Sequence, residues 1–192
     1  MKFGITVSQI NEVDLVVQAE NAGYDFCWVW DSPMIRSNLW ALLALVAERT
    51  SRISIGPGVA IPALSMAPVT ANAIATINAI APGRTFLGVG TGNTALRAMG
   101  QGPMTIQALE AQLKVIRGLL AGETVAYEAN GINEDIAFQS LELGCINLDD
   151  PIPIHISGFG PKAQALAGEY GDGLITGIPR GGTIPNALAN VK

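Results

Sequence analysis

Cysteine and histidine are scarce in this chain of 192 residues, which contains two cysteines and one histidine. The two thiols, Cys27 and Cys145, are too few for a disulfide framework or a cysteine-rich metal site. The single imidazole, that of His155, excludes a histidine-rich metal centre and any mechanism that needs two imidazoles. The first residues also lack the apolar segment of a secretory signal. We therefore expect a reducing, cytoplasmic setting and no metal site.

Basic residues are also few, with 11 Lys and Arg against 16 Asp and Glu and a net charge of −5. This balance argues against a nucleic-acid-binding surface, and an apolar content of 49% argues against a disordered chain. No charged residue occurs in 53–83, a stretch longer than the roughly 20 residues of a membrane span. Because Pro57, Pro62 and Pro68 interrupt it, we expect a buried strand and helix there and no membrane partner.

Glycine and proline are abundant, with 22 and 11 residues, and they separate a repeating order of strand and helix patterns. Short apolar or β-rich runs predict six strands, at 3–7, 26–30, 53–61, 85–89, 152–156 and 173–176. Amphipathic or capped segments predict the helices between them, including 39–50, 68–81, 105–120 and 161–170, with a last helix from about residue 184. Residues 123–150 interrupt this order, and 124–127 and 136–138 predict an inserted hairpin.

Strands that are apolar throughout and alternate with helices predict a parallel sheet covered on both faces. Two α/β architectures fit this order, a doubly wound sheet and a (β/α)8 TIM barrel, and the barrel takes about 250 residues and eight strands. Six strands would supply only the first six βα units of a barrel. On that interpretation residues 1–192 form a single barrel domain that is incomplete at its C-terminus and carries an insertion at 123–150.

The predicted strand ends are rich in glycine and small polar residues, and both architectures bind ligands at the carboxyl ends of their strands. Two strand-end loops, at 90–95 and 158–163, match the dinucleotide pattern G-x-G-x-x-A. Neither is followed by an acidic residue at the end of the next strand, so a nicotinamide-binding Rossmann site is disfavoured. The second loop precedes a helix that Pro161 opens, where free N–H groups favour a phosphate. Tight turns that only allow helix packing are the alternative.

Two further positions have both a functional and a structural interpretation. Asp31 ends an otherwise apolar strand, so its carboxylate either faces a polar pocket or caps the following turn. His155 shares strand parity with Ser157 and could face a barrel interior, although a core histidine is the commoner outcome. The tryptophans near the second strand are expected in the core, unless one faces a planar ring at the mouth.

Four groups of segments follow one another along the predicted units. They are Asn21-Ala-Gly-Tyr-Asp25 with Trp28-Val-Trp-Asp-Ser32, Ile55-Gly-Pro-Gly-Val-Ala-Ile-Pro62 with Ala67-Pro68, Ala81-Pro-Gly-Arg-Thr-Phe-Leu-Gly-Val-Gly-Thr-Gly92, and Pro153-Ile-His-Ile-Ser-Gly-Phe-Gly-Pro-Lys-Ala163 with Gly171-Asp-Gly173. Together they resemble the bacterial luciferase-like monooxygenase superfamily, the flavin- or deazaflavin (coenzyme F-420)-dependent (β/α)8 oxidoreductases. The second group is similar to the third strand of its methylenetetrahydromethanopterin reductase branch. The resemblance covers about three quarters of a barrel.

The resemblance implies that a flavin or deazaflavin ring lies in the barrel mouth. Coenzyme F-420 or FMN is then the expected cofactor, and the third-strand segment favours F-420. The implied ring contacts are Asp31, a bulge at Gly58 and Val59 that carries a non-prolyl cis peptide, and Thr91, Gly92, Asn93 and Thr94. The cofactor phosphate is expected near Ser157, Gly158, Phe159 and Gly160 and near Thr176 and Gly177. Asp31 is the candidate catalytic residue, for a polar or acid/base contact, and Asn93 would orient a ring carbonyl.

The chain departs from the family pattern at two points. Ser32 stands where many deazaflavin-dependent members have a histidine, so no role of that imidazole carries over. The basic residues that hold a phosphate tail in relatives often lie in the last two barrel units, and only Lys162 and Arg180 stand near the predicted phosphate loops here.

The resulting hypothesis is an oxidoreductase or monooxygenase that passes a hydride through the bound cofactor to or from a small organic substrate. The alternative is a non-catalytic, truncated barrel module whose exposed edge strands serve self-association. A homodimer is the expected assembly.

Overall fold

The computed structural model describes residues 1–178, so Arg180 and the helix predicted from residue 184 lie outside the described residues. The strands are β1 (Gly4–Val7), β2 (Phe26–Val29), β3 (Ser54–Pro57), β4 (Leu87–Val89), β5 (Val125–Ala129), β6 (Ile132–Ile136), β7 (Ile154–Ser157) and β8 (Gly173–Ile175). The α-helices are α1 (Val13–Asn21), α2 (Leu39–Arg49), α3 (Ala67–Ile80), α4 (Asn93–Ala98), α5 (Ile106–Leu120) and α6 (Pro161–Tyr170).

Six of the strands are parallel, and their spatial order follows the chain without reversal. β1, β2 and β3 form one ladder, and β4, β7 and β8 form another. Parallel bridges from Ile55 to Thr85 and from Ala60 to Val89 join β3 to β4. A Rossmann sheet reverses its strand order, so the doubly wound alternative is wrong for this chain. Within residues 1–178 no pairing joins β8 to β1, and each of these strands has one free edge.

The helices cover the sheet with the faces that the apolar spacing predicts. Leu42, Leu43 and Val46 of α2 are fully buried, as are Leu109 and Ile116 of α5, in one core with the strands. The starts of both helices are capped by polar side chains: the Asn38 Oδ1 accepts a hydrogen bond from Ala41 N, and the Thr105 Oγ1 accepts one from Ala108 N. These local signals explain why both helices agree closely with the sequence-based expectation.

The predicted insertion contains an antiparallel hairpin of β5 and β6, joined by Asn130 and Gly131. Both turn residues have positive φ, 54° and 78°, as a two-residue hairpin turn requires. The second strand, expected at 136–138, begins at Ile132 instead. Because four of the five β6 residues are exposed, its sequence lacks the apolar alternation by which strands are recognised.

The structure also contains a short helix that the sequence interpretation missed. Residues 90–95 were expected to form a strand-end loop, but Asn93 and Thr94 are the first two residues of α4. Gly92 precedes α4 with φ 74°, a conformation that glycine adopts without strain. One turn and a half with two buried side chains, Ala95 and Leu96, is too short to give a recognisable apolar periodicity.

Arg84, which precedes β4, ties the end of α2 to the sheet. Its guanidinium donates to the carbonyl oxygens of Ala47, Thr50 and Ile53 and to the Thr50 hydroxyl, at 2.9–3.2 Å. The Glu20 carboxylate accepts from three consecutive backbone N–H groups, those of residues 51–53. These contacts fix the connection between α2 and β3, opposite the end where the strand-end loops lie.

We expect Arg84→Met to lower the free energy of unfolding by about 2 kcal/mol, because three carbonyl groups lose a charged donor. Urea denaturation followed by circular dichroism measures this change. Arg49→Met is the matched control, since the Arg49–Asp14 ion pair is solvent-exposed and its loss should cost under about 0.5 kcal/mol. Equal effects of the two substitutions would contradict the structural role of Arg84.

Candidate active site

A cavity of about 580 Å³ opens at the carboxyl ends of β2, β3, β4 and β7. This volume lies within the range of small-molecule and cofactor sites, about 300–1,000 Å³. Ten of the thirteen residues expected at the site line it, namely Asp31, Gly58, Val59, Thr91, Gly92, Asn93, Thr94, Ser157, Phe159 and Gly160. The chain therefore brings together the strand-end loops that the sequence placed at one edge.

Gly158, Thr176 and Gly177 are not among the residues that line the cavity. Gly158 packs against α6 instead, since a Cβ atom there would lie 3.0 Å from the backbone of Ala163 and Gln164. Its N–H donates to the Ile175 carbonyl at 3.0 Å and so joins the loop to β8. Gly177 lies beside Phe159, since a Cβ at position 177 would lie 3.4 Å from the Phe159 ring. Gly158 and Gly177 therefore lie next to the lining residues Ala163 and Phe159 without lining the cavity themselves.

Asp31 lies two residues after the end of β2 and is the only charged side chain among the described residues of the cavity lining. Its Oδ2 accepts a hydrogen bond from Ile61 N at 3.2 Å. Burial raises the pKa of the Asp31 carboxyl from 3.8 to about 6, and the Ile61 N–H opposes this shift. A carboxyl group with such a pKa can hold or release a proton near neutral pH, which suits an acid/base role.

The third strand carries the expected non-prolyl cis peptide between Gly58 and Val59, so that prediction is confirmed. Trp28 packs under this bulge: a Cβ at position 58 would lie 2.6 Å from the Trp28 Cβ. A Cβ at Gly90 would lie 2.7 Å from the Val59 Cγ2. The bulge and the loop after β4 therefore meet without room for further side chains, which leaves a smooth wall that a flat ring can approach.

Aromatic rings fill the sheet face below the cavity. Phe26 and Phe86 each pack against Trp28, with ring centroids 5.2 and 5.5 Å away. His155 stacks on Phe86 at 5.0 Å, and burial lowers the pKa of its imidazole. The Trp28 Nε1–H is buried with no hydrogen-bond partner among the described residues. His155 thus belongs to the packed layer that supports the cavity, as the core interpretation of this residue expected.

Eight lining residues were not among the thirteen expected site residues, namely Trp30, Ser32, Ile61, Gly90, Ala95, Pro103, Ile106 and Ala163. Trp30 is 40% exposed, and the Arg36 guanidinium lies over its ring at 5.6 Å. The available signal was its place one residue before Asp31, at a strand end. Pro103 lies between α4 and α5, and Ile106 is the first residue of α5; no local pattern there indicates a contact with the cavity.

Neither a metal-binding cluster nor a membrane-spanning helix is found among the described residues. In residues 1–178 no three His, Cys, Asp or Glu side chains are grouped so that they could hold a metal ion. In the same part of the chain no helix has both the length and the apolar character needed to cross a membrane.

Parallel strands in chain order, covered by helices and with a cofactor-sized cavity at their carboxyl ends, define an α/β protein of the barrel class. Residues 7–191 match the model of the family described as Luciferase-like monooxygenase, and the chain belongs to this family.

Curated relatives and solved structures agree with this assignment. The chain is 35% identical over 181 residues to 5,10-methylenetetrahydromethanopterin reductase of Archaeoglobus fulgidus, covering 91% of this chain and 52% of the relative. It is 34% identical over 178 residues to an F-420-dependent glucose-6-phosphate dehydrogenase of Kineococcus radiotolerans, covering 84% and 50%. An F-420-dependent secondary alcohol dehydrogenase, solved with an F-420–acetone adduct, superposes with a TM-score of 0.78 at 25% identity, covering 100% and 64%. The chain spans about half the length of these curated relatives.

Proposed function

We propose that the protein is an oxidoreductase that uses coenzyme F-420, or alternatively FMN, to transfer a hydride to or from a small organic substrate. The observation that carries this proposal is the cavity itself, a glycine-walled cleft with one protonatable carboxyl group. Relatives at 33–35% identity that are named as F-420-dependent or as methylenetetrahydromethanopterin reductases support F-420.

The residues of the cavity fit a flavin or deazaflavin ring. Gly58, Gly90 and Gly92 leave no side chain on the wall where the ring would lie, and Val59 and Ile61 supply apolar contacts. Asn93 would hydrogen-bond a ring carbonyl. When bound, the ring would supply the hydride chemistry, and the protein would supply positioning and electrostatics.

The loop 157–160 is the proposed phosphate position. Gly160 is in extended conformation directly before α6, and a Cβ there would meet no heavy atom within 4 Å. Ser157 and Gly160 both line the cavity. Backbone N–H groups at the start of α6 would face an anion bound there.

Asp31 is the proposed acid/base residue, because it is the charged group that the described lining offers to a substrate. Its raised pKa would let the protonated carboxyl donate to a substrate oxygen while hydride is delivered, and the carboxylate would accept that proton in the reverse direction. Ile61 N–H would hold the carboxyl group in place through the Oδ2 contact.

We also propose that the six parallel strands are the first six βα units of an eight-unit barrel, within a single domain that carries the hairpin at 123–150. The order of the strands, and the fact that the chain covers only about half of each curated relative, support this proposal.

We also expect the chain to form a homodimer, and sedimentation of the purified chain tests this expectation.

Cofactor binding tests the proposed function directly. Trp30 lines the cavity, so a ring bound there should quench its fluorescence, and titration with F-420 and with FMN gives both dissociation constants. We expect saturable quenching, with F-420 the tighter ligand. A self-associating module without redox function would sediment as an oligomer and bind neither cofactor, and that result would overturn the proposal. With cofactor bound, alcohols, sugar phosphates and aldehydes can be screened by the absorbance of the oxidised ring.

We expect Gly160→Val to weaken cofactor binding by about tenfold or more, because the new side chain would occupy cavity space at the proposed phosphate position. Residue 160 has φ −120° and ψ 164°, which valine readily adopts before a proline. The thermal midpoint should therefore not change. Fluorescence titration and thermal denaturation measure the two quantities.

Gly102→Val is the matched control for this experiment. Gly102 also precedes a proline, and a Cβ there would also meet no heavy atom within 4 Å, but Gly102 does not line the cavity. Unchanged binding by Gly160→Val, or equal loss in both variants, would argue against a ligand at the start of α6.

A further inference from the structure

Arg97 makes a specific contact with the cavity residue Asn93, although it does not line the cavity itself. Its Nε donates a hydrogen bond to the Asn93 Oδ1 at 2.7 Å. The two residues lie four positions apart on α4, so their side chains share one face of the helix. No hydrogen bond from the terminal guanidinium nitrogens of Arg97 to another group is found among the described residues.

The chemistry of these two groups fixes the orientation of the Asn93 amide. A guanidinium group only donates hydrogen bonds, whereas an amide has one oxygen that accepts and one NH₂ group that donates. The amide oxygen must therefore face Arg97, and a flipped amide would place two donors against each other. The Nδ2 group is left as the part of Asn93 that remains available to a ligand.

A donor at this position fits the chemistry of the proposed cofactor. The carbonyl groups of a flavin or deazaflavin ring accept hydrogen bonds, and an amide oxygen in the same place would repel them. Asp31, the charged group of the described lining, is an acceptor when ionised and cannot serve a ring carbonyl in that state.

We propose that Arg97 is a positioning residue that holds the Asn93 amide with its NH₂ group toward the cavity and so makes residue 93 a hydrogen-bond donor to a ring carbonyl of the ligand. This inference rests on the proposed function. Arg97 acts through Asn93 and touches neither cofactor nor substrate. A purely structural pair on the helix surface would instead change only the stability of α4 and leave the affinity for the cofactor unchanged.

A double-mutant cycle on cofactor affinity separates these two roles. Arg97→Met keeps the length of the side chain and removes its donors, and we expect it to raise the dissociation constant by about three- to tenfold. In the Asn93→Ala background the same substitution should have no further effect, because the amide that Arg97 orients is gone. Asn93→Asp should bind as weakly as Asn93→Ala, since a carboxylate keeps the contact with Arg97 but has no NH₂ group. Arg49→Met, on the remote α2, is the control and should leave affinity unchanged.

The orientation of the amide can also be measured in the protein without cofactor. We expect the NMR signal of the Arg97 Nε–H to show slowed exchange and a nuclear Overhauser contact with Asn93, and both should be lost in Asn93→Ala. Absence of this contact in the wild-type protein would overturn the inference. So would a loss of affinity from Arg97→Met that is equal in both backgrounds. Wild-type protein that shows the contact but binds neither F-420 nor FMN would overturn the proposed function and, with it, the donor role toward a ring.

Discussion

Gly88→Ala should lower the free energy of unfolding by about 3 kcal/mol or more, or prevent folding altogether. A Cβ at position 88 would overlap the carbonyl oxygen of Pro57 and approach the Ile175 Cδ1 to 3.1 Å. The Pro57 carbonyl belongs to the backbone of β3, so it cannot rotate away as a flexible side chain would. This glycine lies where β3 and β4 pass each other between their two bridges.

Gly160→Ala is the control for this substitution, since position 160 has open space and ordinary backbone angles. Its unfolding free energy should stay within about 0.5 kcal/mol of wild type. Urea denaturation measures both variants, and circular dichroism shows whether Gly88→Ala retains any cooperative transition. A Gly88→Ala protein within about 1 kcal/mol of wild type would show that β3 and β4 can separate without cost, contrary to the packing described above.

Asp31→Asn should lower the turnover of the loaded enzyme by about a hundredfold, because the amide cannot exchange a proton with the substrate. It should also change the pH dependence of stability. The pKa of Asp31 in the folded protein, about 6, lies above the ordinary value of 3.8, so folding favours the protonated form. The Asp31 carboxyl therefore contributes stability that is lost as pH rises from about 4 to about 6, roughly 1–2 kcal/mol after allowance for residual solvent contact.

Urea denaturation at a series of pH values measures this second effect without any cofactor. Asp31→Asn should be the more stable protein above pH 6, because it buries no charge, and the difference should vanish near pH 4. Asp135→Asn is the control, since that carboxyl lies on exposed β6. A stability difference between wild type and Asp31→Asn that does not change between pH 4 and 6 would contradict a buried Asp31 carboxyl. Turnover unchanged by Asp31→Asn would remove its proposed acid/base role and leave cofactor binding as a separate question.

Where sequence and structure agree, the signals were local and strong. α2 and α5 have a polar cap followed by apolar residues at helical spacing, and the structure buries those faces. Where they differ, the local signal was weak. α4 is too short to show an apolar periodicity. β6 is almost entirely exposed, so apolar and polar residues do not alternate along it.

The residues of the site also differ in how far the sequence predicts their positions. Asp31 and the loop at 90–94 could be assigned to one edge because parallel strands end together. Pro103 and Ile106 could not, since their contact with the cavity depends on how the segment between α4 and α5 folds back toward the end of β4. Trp30 could only be given two alternatives, the core or the mouth of the cavity. Thr176 and Gly177 were expected at the same edge, but the structure places them outside the cavity lining.

The sequence by itself determined the parallel α/β order and the glycine-rich strand ends, because each depends on residues that are neighbours in the chain. The position of the Gly58–Val59 bulge came from the resemblance to a family. Only the tertiary structure decided that the strand order does not reverse, that burial raises the pKa of Asp31, and that Arg97 donates a hydrogen bond to the Asn93 amide oxygen. Strand order and burial depend on packing between distant segments. The amide orientation depends on side-chain geometry in a helix that the sequence does not reveal.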